Sequence, residues 1–327
     1  MKTMKTMKTP KLFCNKRKKM KIYYGTPEKY IDVTTLCPIV DDSIVIPCGE
    51  DIRIQRFGDP LPNVLKHILI QKNNGTFEIY HHDQEVRLDC KRNIPFVIIA
   101  YNNLVFVSNF IQQIIKYADS IIILDNASTY PKLHEYYDFL EYVLKGKITI
   151  HRFNHNYGPH VYFKRKDLLP DIFILSDPDL ELNPDMPKDF VNRLLQLSLQ
   201  YKAYKVGLAL KISDKAEWLE GEYADWSYNN ELFFWSRPMK HPEYEFYDAP
   251  VDTTFCFVNF NYFNEVYPLM YRVAGNFTCK HLPWYKDYAK NNIPIIENMH
   301  YMKNNCGSTI LRYIKDDKKK EYDFEKK

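Results

Sequence analysis

The sequence predicts an α/β domain in which helices flank a mostly parallel central sheet, Rossmann-like in its winding and preceded by an N-terminal extension. Three observations lead there. Short, continuous apolar runs recur from residue 94 onward, as strands buried on both faces require. Between them lie stretches whose apolar residues repeat at helical spacing. The two alternate in units of about 30 residues, the length of a strand, a crossover helix and a returning strand, a connection that is right-handed almost without exception.

Residues 94–100 (Ile-Pro-Phe-Val-Ile-Ile-Ala) form the first predicted strand. Val107, Phe110, Ile111, Ile114, Ile115 and Ala118 then fall on one helical face. A second strand, 120–124, runs into Asp125-Asn126. Ser128 or Thr129 is expected to cap the next helix, with Pro131 in its first turn, an inner stripe of Leu133, Tyr137, Leu140 and Leu144, and Gly146 at its end. Strands follow at 147–153 and 171–175, then a helix over 188–203 with Phe190, Leu194, Leu195 and Leu197 inward, then a strand at 206–210. Beyond Ile212 the alternation fades into an aromatic-rich region with candidate strands at 232–235 and 254–260. Ahead of the α/β part, residues 43–47 are an apolar run and 61–71 are expected to be helical; nothing in 23–92 has a catalytic pattern.

Charge narrows the function classes. The chain has 45 Lys and Arg against 41 Asp and Glu, a net charge of +4, which on its face suggests a polyanion partner. Residues 1–22 alone hold nine of the basic residues and no acidic one, so the other 36 face 41 acidic residues and the body carries −5. That body lacks the basic surface that a nucleic-acid backbone needs, and nucleic acid is not expected as a partner. The segment 1–22, with three Met-Lys-Thr copies and Lys16-Arg17-Lys18-Lys19, reads as a disordered tail, with weak contact to an anionic membrane surface as the sharper alternative. Residues 311–327 read as a charged C-terminal tail. Seven widely spaced Cys with no CxxC pair read as reduced thiols, and neither a membrane-spanning run nor a signal peptide is legible, so a soluble cytoplasmic protein is expected.

In an open α/β sheet, ligands bind beyond the carboxyl ends of the strands. Four segments occupy such positions: Ala100-Tyr101-Asn102-Asn103, Asp125-Asn126-Ala127-Ser128, residues 154–160, and Ser176-Asp177-Pro178-Asp179. All are rich in Asp or Asn. Two carboxylates one residue apart, as Asp177 and Asp179 are, can share a divalent cation; a hard ion such as Mg²⁺ or Mn²⁺ takes oxygen ligands and bound phosphate oxygens together, and would neutralise a diphosphate leaving group. The plainer reading of Asp177-Pro178-Asp179 is a turn. Asp125 stands where a carboxylate can accept hydrogen bonds from a ribose or base, although a lone Asp there more often caps a helix. Neither GxGxxG nor GxxxxGK[ST] occurs, so hydride transfer and ATP hydrolysis lose support.

From about Asn93 to Tyr301 the chain resembles a GT-A-fold glycosyltransferase of the family 2-like kind. The resemblance rests on residues 98–103, residues 123–128, Asn154-His155-Asn156-Tyr157-Gly158-Pro159, and Asp177-Pro178-Asp179 as the Asp-x-Asp motif, with residues 249–255 and 280–285 similar to later acceptor-side and metal-side motifs. It implies a GT-A domain over 93–310, a region of 23–92 accessory to it, and a sugar moved from a nucleotide-diphosphate sugar, a UDP-sugar in first place, to a glycan, protein or small-molecule acceptor by a hexosyltransferase-type enzyme. It further implies that Ala100, Asn102 and Asp125 bind the nucleoside, that Asn156 and Gly158 shape the donor pocket, and that Asp177 and Asp179 hold Mn²⁺ or Mg²⁺ with His281 as third ligand.

An inverting transferase needs a base to take the acceptor proton, and a carboxylate suits. Asp252 is the candidate, with Asp248 its nearest competitor and a turn-capping role the plain alternative. Trp226, Trp235 and Trp284 could stack on sugar rings, but in a chain with 26 Tyr and 20 Phe most aromatic residues are expected in the core. The first loop carries Asn102-Asn103 where many family members have Arg or Glu, and residues 1–92 have no counterpart in the family. The competing classes are a sugar-nucleotide nucleotidylyltransferase, which normally brings a Gly-rich basic loop after its first strand, and a degenerate transferase that has become a carbohydrate-binding or structural protein.

Overall fold

The computed structural model describes residues 21–37, 43–72, 75–89, 93–287 and 292–304. The expected tails at 1–22 and 311–327 fall almost wholly outside these residues, as do Cys14, Cys90 and Cys306; Cys37, Cys48, Cys256 and Cys279 are free thiols. Contacts divide the chain into two units, Met1–Asn93 and Ile94–Lys327. No described helix is long and apolar enough to cross a membrane.

In the first unit, β1 (Ile22–Gly25), β2 (Tyr30–Asp32), β4 (His67–Gln71) and β5 (Phe77–Tyr80) form an antiparallel sheet in the order β2-β1-β4-β5, while β3 (Ser43–Ile46) pairs with β6 (Val86–Asp89). Ile22, Tyr24, Ile46, Phe57, Ile68 and Val86 share its core. The helix expected over 61–71 is absent. Pro62 and Asn63, the latter at φ 64°, make a turn, and Ile68 and Ile70 enter β4 between β1 and β5, where branched side chains suit a pleated surface.

The helix of this unit, α1 (Glu50–Phe57), carries a fully buried Arg53 that donates to the carbonyls of Pro47, His81 and Gln84. Arg53→Ala strands those carbonyls in the interior. It is expected to lower the unfolding free energy by about 3 kcal/mol, read by denaturant titration; a loss under about 1 kcal/mol would contradict the assignment.

The second unit is built on one sheet. Its strands are β7 (Phe96–Ala100), β8 (Ile121–Asp125), β9 (Ile148–Arg152), β10 (Ile172–Ser176), β11 (Leu180–Leu182), β12 (Lys205–Leu210), β13 (Pro238–Met239), β14 (Phe246–Asp248), β15 (Phe255–Asn259) and β16 (Met270–His281). The order is β13-β14-β16-β12-β15-β10-β7-β8-β9, with β11 paired to the end of β16. β7, β8, β9, β10, β12, β13 and β16 run one way, and β11, β14 and β15 run against them. This is the mostly parallel sheet flanked by helices that the sequence predicts.

The helices are α2 (Leu104–Ile114), α3 (Pro131–Val143), α4 (Val161–Lys164), α5 (Phe190–Tyr201), α6 (Glu222–Trp235) and α7 (Ile295–Asn304). Alternation divides the apolar residues of β7 between two cores. Phe96 and Ile98 pack with α2, α3 and α5, whereas Val97 and Ile99 pack with Val161, Tyr162 and Val251. Two local expectations fail. Residues 232–235, read as a strand, belong to α6, where Glu231 and Ser227 are buried. The N-cap of α3 is Tyr130 without a side-chain cap, because the Ser128 hydroxyl is turned onto Asp125.

Candidate functional site

The strand directions decide what meets at one edge of the sheet. Parallel strands β7, β8 and β10 deliver their carboxyl ends there, and β16 delivers His281. Because β15 runs the other way, the loop before it arrives at the same edge: Ser176 lies opposite Phe255. Asp177 and residues 252–254 are therefore neighbours despite their separation in sequence.

Hydrogen bonds weld this junction. The Asp177 N–H donates to the Thr253 carbonyl at 2.9 Å, the Thr253 hydroxyl donates to Asp177 Oδ2 at 2.7 Å, and the Ser176 hydroxyl donates to the Thr254 carbonyl at 2.8 Å. β11 then turns the chain along β16, placing Leu180 opposite His281, and the Leu282 N–H donates to the Asp179 carbonyl. That register sets His281 Nε2 3.5 Å from Asp179 Oδ2. The His281 ring packs on Trp284, centroids 4.6 Å apart, and Trp284 packs on Trp218.

The electrostatics show an excess of buried negative charge. Burial, then the charge of Asp179, pushes the Asp177 carboxyl up to about 7 against the Thr253 hydrogen bond, and Asp252 adds to the rise. Burial alone would lower the His281 imidazolium, but Asp179, Asp177 and Glu231 outweigh it and hold it above its ordinary value. Asp179 Oδ1 and His281 Nδ1 are buried with no hydrogen-bond partner among the described residues. Native structures rarely leave such atoms unpaired. As placed, no group of three or more His, Cys, Asp or Glu side chains among the described residues converges as a ready metal cage. The donor chemistry of Asp177, Asp179 and His281 nevertheless fits a divalent ion that takes carboxylate oxygens and tolerates an imidazole, as Mn²⁺ does. Asp252 is exposed, and Asp177 registers its charge; Asp248 lies on β14.

At the ends of β7 and β8 the polar residues hold one another. Asp125 is 1% exposed, and its oxygens accept from the Ser128 hydroxyl, the Ser128 N–H and the Tyr137 hydroxyl. Asn102, at φ 53°, accepts from the N–H groups of Thr129 and Tyr130, while its own N–H donates to the Ser128 hydroxyl; its side-chain nitrogen is buried without a partner. The Ala100 carbonyl accepts from the Asn126 N–H. Asn126 ties this loop to the next by accepting from the Tyr157 N–H and donating to the Gly158 carbonyl. Asn156 is exposed and accepts from the Gly158 N–H, and Gly158 has φ 77°, where glycine is favoured. The structure thus places Ala100, Asn102, Asp125, Asn156 and Gly158 in one connected loop network, with Asp125 acting from inside it.

Burial raises the Asp125 carboxyl above its ordinary 3.8 against the bonds from Ser128 and Tyr137. The folded state then binds this proton more tightly than the unfolded chain does, so the contribution of Asp125 to stability falls as pH rises from 3.8 through the folded value. The difference in unfolding free energy, wild type minus Asp125→Asn, is expected to decline in denaturant titrations as pH rises above about 4. A difference independent of pH would refute the burial effect.

Several participants carry no sequence signal. α7 covers the ends of β7 and β8: Glu297 accepts from the Val105 N–H at 2.9 Å, and His300 Nε2 is hydrogen-bonded to the Thr129 hydroxyl. Tyr137, read in the sequence as part of the inner stripe of α3, takes its role at the site only from pairing with Asp125. Of the three Trp residues considered for stacking on sugar rings, Trp284 is packed as above, Trp235 donates to the Leu210 carbonyl, and Trp226 is 61% exposed on α6.

Solved structures to which this chain is similar include a mannosyltransferase, GalNAc-T7 and TarS. A mannosyltransferase of Pyrobaculum calidifontis, PcManGT, in complex with GDP-Man and Mn²⁺, is 13% identical over 68% of this chain and 68% of its own, with a TM-score of 0.39. GalNAc-T7 with UDP, GalNAc and Mn²⁺ is 12% identical over 68% of this chain at a TM-score of 0.41, and the match spans only 47% of the GalNAc-T7 chain. Residues 1–349 of S. aureus TarS are 14% identical over 36% of each chain, with a TM-score of 0.29. No family model matches the sequence, and no curated protein matches it.

Proposed function

We propose that the protein is a metal-dependent glycosyltransferase that moves a sugar from a nucleotide-diphosphate sugar, in first place a UDP-sugar, to an acceptor hydroxyl with inversion. The observation that carries the reading is the meeting of Asp177-Pro178-Asp179, His281 and Asp252 at one sheet edge, with buried carboxylate and imidazole atoms left unpaired. On this reading residues 93–310 are the catalytic domain, 23–92 an accessory region, and 1–22 and 311–327 tails.

Asp177 and Asp179, with His281, would hold Mn²⁺ or Mg²⁺, which when bound supplies positive charge to the diphosphate leaving group. The network of Asn102, Asp125 and Asn126 keeps the nucleoside-side loops in shape, and Asn156 and Gly158 border the donor. The exposed Asp252 carboxylate takes the proton of the acceptor hydroxyl as its oxygen bonds to the anomeric carbon. The bond from that carbon to the diphosphate oxygen breaks on the opposite side, and the nucleoside diphosphate leaves with the electron pair.

The test is a panel of UDP- and GDP-sugars incubated with the protein with and without Mn²⁺, followed by detection of released nucleoside diphosphate. Release that requires the metal supports the proposal. Calorimetry showing no metal-coupled nucleotide binding, together with no turnover of any donor, overturns it and favours a degenerate, non-catalytic protein.

A further inference from the structure

Two buried cations grip the loop that carries Asp252. Lys205 Nζ donates to the Val251 carbonyl at 3.1 Å and to the Asp252 carbonyl at 2.9 Å. Arg272 Nε donates to the Pro250 carbonyl at 2.9 Å. Three consecutive carbonyls thus accept from side chains that are each 4% exposed. Buried charge is costly unless it is paired or hydrogen-bonded, so its presence inside a strand-built core calls for a reason. Arg272 is balanced by the equally buried Glu231 at 2.6 Å and lies over the Phe234 ring. Lys205 stands 5.1 Å from the centre of the Tyr162 ring and directs its N–H groups to backbone.

Gly207 completes the arrangement. It lies two residues from Lys205 on the same face of β12 and in register with Arg272 on β16. A Cβ at this position would come within 2.5 Å of Val251 Cγ1 and 2.7 Å of the Phe255 carbonyl oxygen. β12 and β16 therefore offer a lysine, a gap and an arginine in a row, and residues 250–252 lie across them. Thr253 fixes the far side through Asp177, while the Asp252 side chain stays exposed.

We propose that Lys205 and Arg272 are positioning residues: by holding the carbonyls of Pro250, Val251 and Asp252 they set the reach of the Asp252 carboxylate toward the acceptor hydroxyl. The proposal rests on Asp252 being the base. Its experiment separates the two ideas by combining hydrogen exchange with kinetics in Lys205→Met, Lys205→Arg, Arg272→Lys, Asp252→Asn and the double variant Lys205→Met/Asp252→Asn.

Exchange of the amides in 249–254 is expected to rise about tenfold in Lys205→Met, and by roughly half as much on a logarithmic scale in Arg272→Lys, with 96–125 unchanged. Turnover of the donor found in the panel should fall about tenfold or more in kcat while KM for the donor moves less than about twofold, and Lys205→Arg should recover most of it. The double variant should be no slower than Asp252→Asn alone, since a displaced base and an absent one are equivalent.

Unchanged exchange in 249–254 in both Lys205→Met and Arg272→Lys overturns the proposal, as does a double variant whose loss is the product of the single losses. If Lys205→Met fails to fold, Arg272→Lys, which keeps a cation beside Glu231, decides by the same readouts. Wild-type turnover in Asp252→Asn overturns the role of Asp252 as base, and the exchange measurement then still upholds or removes the clamp.

Discussion

Replacing Asp177 and Asp179 together by Ala is expected to lower metal-dependent donor turnover by roughly 10³-fold or more while making the protein more resistant to heat. The two effects have one cause. Asp177 is crowded by burial and by Asp179, which is why its carboxyl is pushed up to about 7. Without a cation, these side chains repel each other in a site that solvent reaches poorly, so removing them relieves the folded state. A residue kept for structure would lose stability when removed, and one kept for chemistry loses rate. The wild type should also gain melting temperature when Mn²⁺ is added, by the linkage of binding to folding, and the double variant should not. A variant that keeps full turnover, or a wild type blind to Mn²⁺ in both assays, would contradict the site.

Gly207→Ala is expected to be the most damaging single methyl group in the second unit, lowering unfolding free energy by about 2–4 kcal/mol in denaturant titrations. The added carbon would meet Val251 Cγ1 at 2.5 Å and the Phe255 carbonyl at 2.7 Å. The second contact is with backbone inside the ladder between β12 and β15, which cannot swing away as a side chain does. The strand must part or the segment over it must lift, and lifting it moves Asp252. An unfolding free energy within about 0.5 kcal/mol of wild type would show that the sheet absorbs the carbon and that the fit at Gly207 is loose.

The parallel half of the sheet was legible because periodicity alone defines it: β7, α2, β8, α3, β9 and β10 all lie where apolar runs and helical stripes put them. Where tertiary pairing outweighs local pattern, the reading fails. Residues 61–71 look helical by spacing, yet Ile68 and Ile70 are claimed by neighbouring strands. Residues 232–235 look like a strand, since Leu-Phe-Phe-Trp suits either state, yet they continue a helix that begins at Glu222 and buries Glu231 against Arg272.

The site follows the same division. Asp177, Asp179 and Asp252 stand out as carboxylates flanking apolar strands, but a buried lysine, arginine and glutamate read in sequence like any surface charge. Lys205, Arg272 and Glu231 are recognised only once the sheet order brings them together. Asp125 stands between the two. Its position after a buried strand suggests a ligand contact or a cap, and the structure adds what the sequence could not, that its oxygens accept from Ser128 and Tyr137.

The reversed direction of β15 also bears on how the molecule comes into being. β7, β8 and β9 pair in chain order and β10 returns to the free side of β7, so that half can form while the rest is still being made. Asp177 and Asp179 belong to it, but Thr253, which holds Asp177, lies 76 residues further along the chain, and His281, which faces Asp179, lies 102 further along. During synthesis the acidic pair therefore waits, exposed and unsupported, until the last long strand enters the sheet. If the acidic pair takes the ion proposed above, competence for it should appear only when residue 281 has joined the sheet, so the chemistry of the site would report the entry of β16.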